Sequence, residues 1–202
     1  MRHRFLPALL ALWVLPLSAQ APDRGWALHL GIARDAFSGA SSDTSTIPGT
    51  EVEVTPAPRV ALATGLTRQA GAWEFGLELG YTSGGLRAST EDLRVEQRTN
   101  DVSRFRAALT VGRRLARSGP VSVLLLASPG VDYWETEGIG NRTTVALRGG
   151  LLLRIPFGRV EFENRLLAGI GGSPFRREDL PPGGKVESLR TFSLGAALRL
   201  RL

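Results

Sequence analysis

The sequence predicts an all-β protein, a closed eight-stranded antiparallel barrel wound as an up-and-down meander. Three observations predict it. Apolar and polar residues alternate with period two through residues 25–202, the alternation falls into eight stretches, and the links between stretches alternate between short and long.

The chain of 202 residues opens with a different signal. Arg2, His3 and Arg4 form a basic patch, residues 5–17 are apolar with Pro7 and Pro16 among them, and Ala19 and Ala21 place small residues at −3 and −1 of a cleavage site. The apolar run falls short of the roughly 20 residues a membrane-spanning helix needs. Residues 1–21 are therefore expected to be an export signal, and 22–202 the barrel domain.

The first stretch sets Trp26, Leu28, Leu30 and Ile32 on one face and Ala27, His29, Gly31 and Ala33 on the other. The second covers 59–67. In the third, Trp73, Phe75, Leu77, Leu79 and Tyr81 alternate with Glu74, Gly76, Glu78 and Gly80. The fourth covers 102–115. The fifth, 120–128, is the least regular, because Leu124 and Leu126 are apolar as well as Val121, Val123 and Leu125; Pro129-Gly130 is read as its end or a bulge. The sixth and seventh cover 143–155 and 159–171. The eighth sets Phe192, Leu194, Ala196, Leu198, Leu200 and Leu202 against Ser193, Gly195, Ala197, Arg199 and Arg201. Short links are expected at 68–72, 116–119 and 157–158, and long loops at 35–58, 82–101, 129–142 and 172–188, which puts both chain ends on the side of the short turns.

Alternation alone leaves open which face points outward. A soluble lipocalin-like or streptavidin-like barrel would hold the apolar face inside. Two features favour the reverse. The polar face mixes Gly and Ala with charges, as the narrow interior of eight strands requires. The apolar face carries aromatics near its ends, with Trp26, Trp73 and Phe162 toward the short turns and Tyr81, Phe105 and Phe192 toward the long loops, the placement of two interfacial girdles. A closed barrel is also one of the few ways for backbone to cross lipid, since no strand edge is left unpaired.

In this pattern and architecture, residues 25–202 resemble the small outer-membrane β-barrels of the OmpA, OmpX and opacity-protein type. The resemblance implies a bacterial outer-membrane location, contact with outer-membrane lipid, and delivery by the barrel-assembly machinery. Those families usually end in an aromatic residue as part of the assembly signal, whereas this chain ends in Leu202, with Phe192 ten residues earlier.

With the apolar face outward, the lumen receives Glu74, Glu78, Glu161, Glu163, Arg104, Arg106, Arg148, Arg154, Arg165, Arg199 and Arg201. Buried charges persist when paired. Taking Phe157-Gly158 as a two-residue turn places Arg154 opposite Glu161. Arg154, Glu161, Glu163, Arg199 and Arg201 are then expected to form an ion-pair network in the periplasmic half, with Glu74, Glu78, Arg148 and Arg165 adding to it. The network reads as a plug, with a gate or narrow ion path as the alternative.

Other chemistry is poorly supported. The sequence has no cysteine, so neither disulfides nor thiolate metal sites arise. Its pI is near 11.0, yet its arginines are scattered and no nucleic-acid motif appears, so no nucleic-acid partner is expected. Beyond the leader, His29 is the sole histidine and is expected in the lumen; no catalytic triad or metal-ligand spacing is visible, and no cofactor is expected. A lipid-modifying barrel enzyme is thus the weakest reading. Glu51, Val52, Glu53 and Val54 continue the parity of the second stretch, and Leu93 and Val95 that of the fourth, so strands are expected to project past the bilayer. The first loop, with Asp35, Asp43, Glu51 and Glu53, is acidic. The expected function is non-enzymatic, structural or surface-interacting, with any ligand held by the long loops.

Overall fold

The computed structural model describes residues 24–47, 50–57, 59–90, 92–96, 101–180 and 182–202; the expected leader lies outside them. Among the described residues thirteen strands follow one another: β1 (Arg24–Ser38), β2 (Ser41–Ile47), β3 (Thr50–Pro56), β4 (Arg59–Ala70), β5 (Trp73–Gly84), β6 (Leu86–Ser89), β7 (Arg94–Glu96), β8 (Val102–Ser118), β9 (Val121–Thr136), β10 (Gly140–Phe157), β11 (Val160–Gly171), β12 (Lys185–Val186) and β13 (Leu189–Arg201). Eight of them close into a barrel in the order β1-β13-β11-β10-β9-β8-β5-β4, every neighbouring pair antiparallel. The eight-stranded meander expected from the alternation is therefore present. Its seam is β1 against β13, in unbroken register from Ala27↔Arg201 to Ser38↔Arg190.

The alternation puts each face where the period requires. Leu28, Leu30 and Ile32 of β1, Phe75, Leu77 and Leu79 of β5, and Leu194 and Leu198 of β13 lie exposed on the outside, while Ala27, His29, Glu74, Ala197 and Arg199 are buried within. On β9, Leu125 faces out. Leu124 and Leu126 face in, packed with Leu152 and Leu167 as an apolar patch on the lumen wall. That patch is why the fifth stretch lacks a clean alternation.

Three turns join strands at the end where β1 begins and β13 finishes: Gly71-Ala72, Gly119-Pro120 and Gly158-Arg159. In each, glycine takes the first central position with positive φ, +64°, +57° and +67° respectively, as the twist of a two-residue hairpin demands. The last of these corrects the expected register. The turn is Gly158-Arg159 and not Phe157-Gly158, so Phe157 faces Val160 and Arg154 faces Glu163, not Glu161. The left-handed conformation is cheap only for the glycine, which draws the turn onto it. Each strand shifts by one residue, so the facing of the side chains survives.

At the opposite end one expected long loop is absent. β9 runs on through Pro129-Gly130 to Thr136 and β10 begins at Gly140, leaving only Glu137, Gly138 and Ile139 between them. Pro129 has no N–H to give, and the β8–β9 pairing is interrupted beside it, between Ala108↔Gly130 and Val111↔Ala127, without a change of register. Its other neighbour is unaffected, and Pro129↔Leu147 is an ordinary step of the β9–β10 ladder.

Residues 51–54 and Leu93 with Val95 were expected to continue barrel strands, but the other three connections do not continue them. They build a second, five-stranded sheet in the order β12-β2-β3-β6-β7. β3 is separated from β4 by a break after Pro56, where the Ala57 N–H donates to the Gly85 carbonyl (2.9 Å). Leu93 precedes β7 and Val95 lies in it; β7 pairs with β6 and does not prolong β8. Val54, Leu86 and Leu180 pack from these connections onto Phe37, Val102, Trp134, Phe175 and Leu189 at the barrel mouth.

Candidate functional site

The lumen gathers charged side chains from most of the barrel strands, and they are arranged in two tiers. The tier nearer the tight turns is built on β5, β10, β11 and β13. Glu163 is fully buried at its centre. Its Oε1 accepts from Nε and Nη2 of Arg154 (3.0 and 2.8 Å), and its Oε2 from Nη2 of Arg165 (2.8 Å). Arg154 also donates to Glu74 (3.0 Å) and Arg199 does the same (3.0 Å); Arg199 and Arg201 both bond Glu161. Arg165 reaches Glu78, whose carboxylate lies 3.3 Å from Nε2 of His29.

Several of these contacts cross the barrel. β5 stands four strands from β11 in either direction round the ring, and three from β10 and from β13. Glu78–Arg165, Glu74–Arg154 and Glu74–Arg199 therefore tie opposite walls together. A guanidinium and a carboxylate meeting between opposite walls occupy the axis, and eight strands leave little space beside them.

The tier nearer the outer sheet holds Arg104, Arg106 and Arg148 with Asp35 and Asp132, all buried. Arg104 bonds Asp35 and also donates to Thr82 (3.2 Å). Arg106 donates to Asp132 (3.4 Å) and to the Ser128 carbonyl (2.8 Å). Above them the guanidinium of Arg104 lies 5.1 Å from the ring centre of Phe37 and 5.4 Å from that of Trp134, and these two rings meet edge to face at 6.1 Å. The aromatic pair, with Phe175 and Leu189, forms an apolar cap over the charged column.

Of the residues expected in the network, Glu74, Glu78, Arg154, Glu161, Glu163, Arg165, Arg199 and Arg201 come together. Arg148 does not join them; it belongs to the outer tier, with Asp35 3.8 Å away as its nearest carboxylate contact. Asp35 was expected in an acidic loop but sits inside β1, on the lumen side, because β1 extends to Ser38. Asp132 and Trp134 fall in what was read as the third loop. Their parity was the available signal: Val131 and Tyr133 alternate with them as outer and inner residues do elsewhere. Two other acidic residues of the first loop serve internal contacts. Asp43 is buried in β2, and Glu53 accepts the Gly39 N–H. The side chain of Glu51 lies outside the described residues.

On the outer surface Trp26, Trp73, Tyr81, Phe105 and Phe192 are all exposed, and Phe162 points the same way but is partly covered. Tyr81, Phe105 and Tyr133 form a run of rings, with centroids 4.9 and 6.4 Å apart, toward the outer sheet. Trp73 and Phe75 stack at 6.4 Å toward the tight turns, and Arg68 and Arg113 lie over Trp26 and Trp73.

No protein-family model matches this sequence, and no curated protein matches it. Among solved structures the chain is similar to Neisserial surface protein A, with a TM-score of 0.57 at 11% identity over 88% of this chain and 97% of that one. It also matches Ail of Yersinia pestis. In a phospholipid bilayer nanodisc Ail gives a TM-score of 0.45 at 12% identity, over 88% of this chain and 99% of that one. In the crystal it gives 0.39 at 16%, over 87% and 99%. The likeness to the Neisserial protein is one of fold.

Proposed function

Starting from the fold it shares with small eight-stranded outer-membrane barrels, we propose that this protein is a non-enzymatic outer-membrane protein whose outer sheet is a contact surface. The exposed apolar belt between two sets of aromatics supports residence in lipid, where such a belt is stable and a soluble protein would leave it facing water. The aromatic cap and the cross-barrel ion pairs support a plugged interior.

The observation that carries the contact role is the free edge of the outer sheet. β7 is an edge strand, and Leu93, Arg94, Val95 and Glu96 are all exposed there, with Leu93 62% and Val95 56% accessible. At the other edge Lys185 and Val186 are exposed too. Among the described residues such an edge offers unpaired backbone groups beside apolar side chains, the requirements for docking an extended segment of another protein. The test replaces residues 86–100 by a short Gly-Ser turn and compares binding of vesicle-reconstituted protein to host cells and extracellular matrix. Loss of binding with an intact barrel is expected, and unchanged binding refutes the surface role.

A second reading, a narrow ion path, draws on the column of charge along the lumen. Planar-bilayer recording separates the two. The plug predicts no steady conductance from purified protein, and a reproducible unitary current overturns it. Fractionation with the outer membrane and a gel mobility that changes on boiling in SDS test the proposed location.

A further inference from the structure

The two lumen tiers differ in charge balance. In the inner tier Arg154, Arg165, Arg199 and Arg201 meet Glu74, Glu78, Glu161 and Glu163, four against four. In the outer tier Arg104, Arg106 and Arg148 meet only Asp35 and Asp132. Arg148 is the odd cation. Asp35 already takes Arg104, and it stands 3.8 Å from Arg148, beyond hydrogen-bond reach.

These side chains border a partly open cavity of about 50 Å³, lined by Asp35, Arg104, Arg106 and Arg148, with Glu78, Arg165 and the small residues of β1, β4 and β13 also on its wall. Glu78 and Arg165 are bonded to each other. Arg59 is not on the lining, and its charge acts on Glu96 of the outer sheet. Around the cavity five guanidinium nitrogens have no partner among the described residues: Nε and Nη2 of Arg148, Nε and Nη1 of Arg104, and Nε of Arg106. Asp35 Oδ1 is the one lining carboxylate oxygen in the same condition. Arg148 is 7% exposed, Arg106 4% and Arg104 3%, so bulk water does not solvate them.

The volume accommodates a few waters or one small ion. Water alone is a poor match, because each molecule that accepts from an arginine must place its own hydrogens, and acceptors are scarce here. An anion accepts from every direction and donates to none. The surplus of one positive charge sets its valence, and the carboxylates of Asp35 and Glu78 on the wall disfavour a dianion. We propose that this cavity is a buried site for a monovalent, halide-sized anion such as chloride, held by the N–H groups of Arg104, Arg106 and Arg148. The anion completes the charge balance of the outer tier beneath the Phe37–Trp134 cap.

The experiment uses the whole barrel, refolded in and crystallised from chloride-free sodium bromide. Diffraction at the bromine edge is expected to show an anomalous peak between Arg104, Arg106 and Arg148. In solution, the urea midpoint of the same protein in detergent should be higher in bromide or chloride than in gluconate at equal ionic strength. Arg148→Met leaves two arginines for two carboxylates, so it should lose both the peak and the halide dependence while keeping its heat-shifted gel mobility. A wild-type map without anomalous density in the cavity, together with equal midpoints in the two salts, overturns the proposal and leaves water as the occupant. Should Arg148→Met fail to fold, the bromide map and the salt comparison on the wild-type protein still decide the matter.

Discussion

Leu77→Arg tests the orientation of the barrel more sharply than any other single change. Leu77 lies midway along β5 between Trp73 and Tyr81, the aromatics at the two ends of the apolar belt. Eight residues at about 3.4 Å each span about 27 Å along the strand. A tilt of about 40° reduces this to about 21 Å along the barrel axis, close to the apolar band of about 25 Å typical of outer-membrane barrels. Leu77 is 60% exposed, and its cross-strand neighbours Leu66 and Leu109 are also exposed on the same face. An arginine there sits near the bilayer midplane, where it costs about 2–4 kcal/mol. That corresponds to a loss of about 30- to 700-fold in the folded-to-unfolded ratio at about 1.4 kcal/mol per tenfold. The control is Leu93→Arg, equally exposed but on the outer sheet, where a surface substitution stays within about 0.5 kcal/mol. Urea titration in phospholipid vesicles, followed by tryptophan fluorescence, measures both. If the barrel were soluble, both leucines would face water and both changes would be nearly neutral. A Leu77→Arg loss below about 0.5 kcal/mol, indistinguishable from Leu93→Arg, therefore refutes the membrane-facing belt.

Three further outcomes follow from the site. Glu163→Gln keeps the shape but removes the charge shared by Arg154 and Arg165; breaking a buried pair costs about 3–5 kcal/mol, and the carboxylates left to each arginine hold this case near the lower end. Glu178→Gln, at an exposed pair with Arg176, should cost less than about 1 kcal/mol in the same urea assay, and equal losses would contradict the network's role. Trp134→Ala removes the centre of the outer cap and should cost about 3–5 kcal/mol, yet bilayer recordings should show no steady current, since the inner tier still crosses the lumen. In the outer sheet, the hydrogen bond from Arg87 (3.1 Å) holds the carboxyl of Glu96 below the ordinary glutamate range. The sign follows from the lowered folded value: the contact is fully formed above the ordinary glutamate pKa and is lost as pH falls through the lower one. An NMR carboxyl titration should show a depressed midpoint that returns upward in Arg87→Met, and an unchanged midpoint would mean that the β6–β7 pair does not form.

How much of this was legible in the sequence depends on which interactions are local. β5 can be read directly, because Glu74, Gly76, Glu78 and Gly80 alternate with five apolar outward residues, and period two follows from the pleat alone. The lumen charges follow from the same parity. Asp35 and Asp132 were missed because each lies where turn-forming residues suggested that a strand had ended. Asp35 stands at the far end of β1, and Asp132 follows Pro129-Gly130. Trp134 was harder still, since a buried aromatic facing inward breaks the rule that apolar residues of such a barrel face out. In the outer sheet the alternation of residues 51–54 and of Leu93 with Val95 marks extended chain, but nothing local marks its partners. Its pairing of Lys185 with Ser42 joins loops 143 residues apart, and no local pattern encodes that partner. The hairpin register turned on one dihedral angle, that of Gly158.

The ion pairs also bear on how the barrel closes. Arg106–Asp132, Arg154–Glu163 and Arg199–Glu161 join strands that are immediate neighbours in the ring, so each can form as soon as two strands pair. Glu78–Arg165, Glu74–Arg154, Glu74–Arg199 and Asp35–Arg104 join strands three or four places apart. A flat open sheet cannot satisfy these, because strands three places apart lie about 14 Å from one another until the sheet curls shut. Among the described residues the arginine contacts of Glu74 all cross the barrel, so in an open sheet it must remain in water. A charged side chain left unpaired in an apolar setting carries a penalty of several kcal/mol. Partly assembled sheets are therefore disfavoured relative to the closed form, and the seam gains stability from contacts that lie far from it. The same charges that cross the lumen thus make closure more nearly all-or-none.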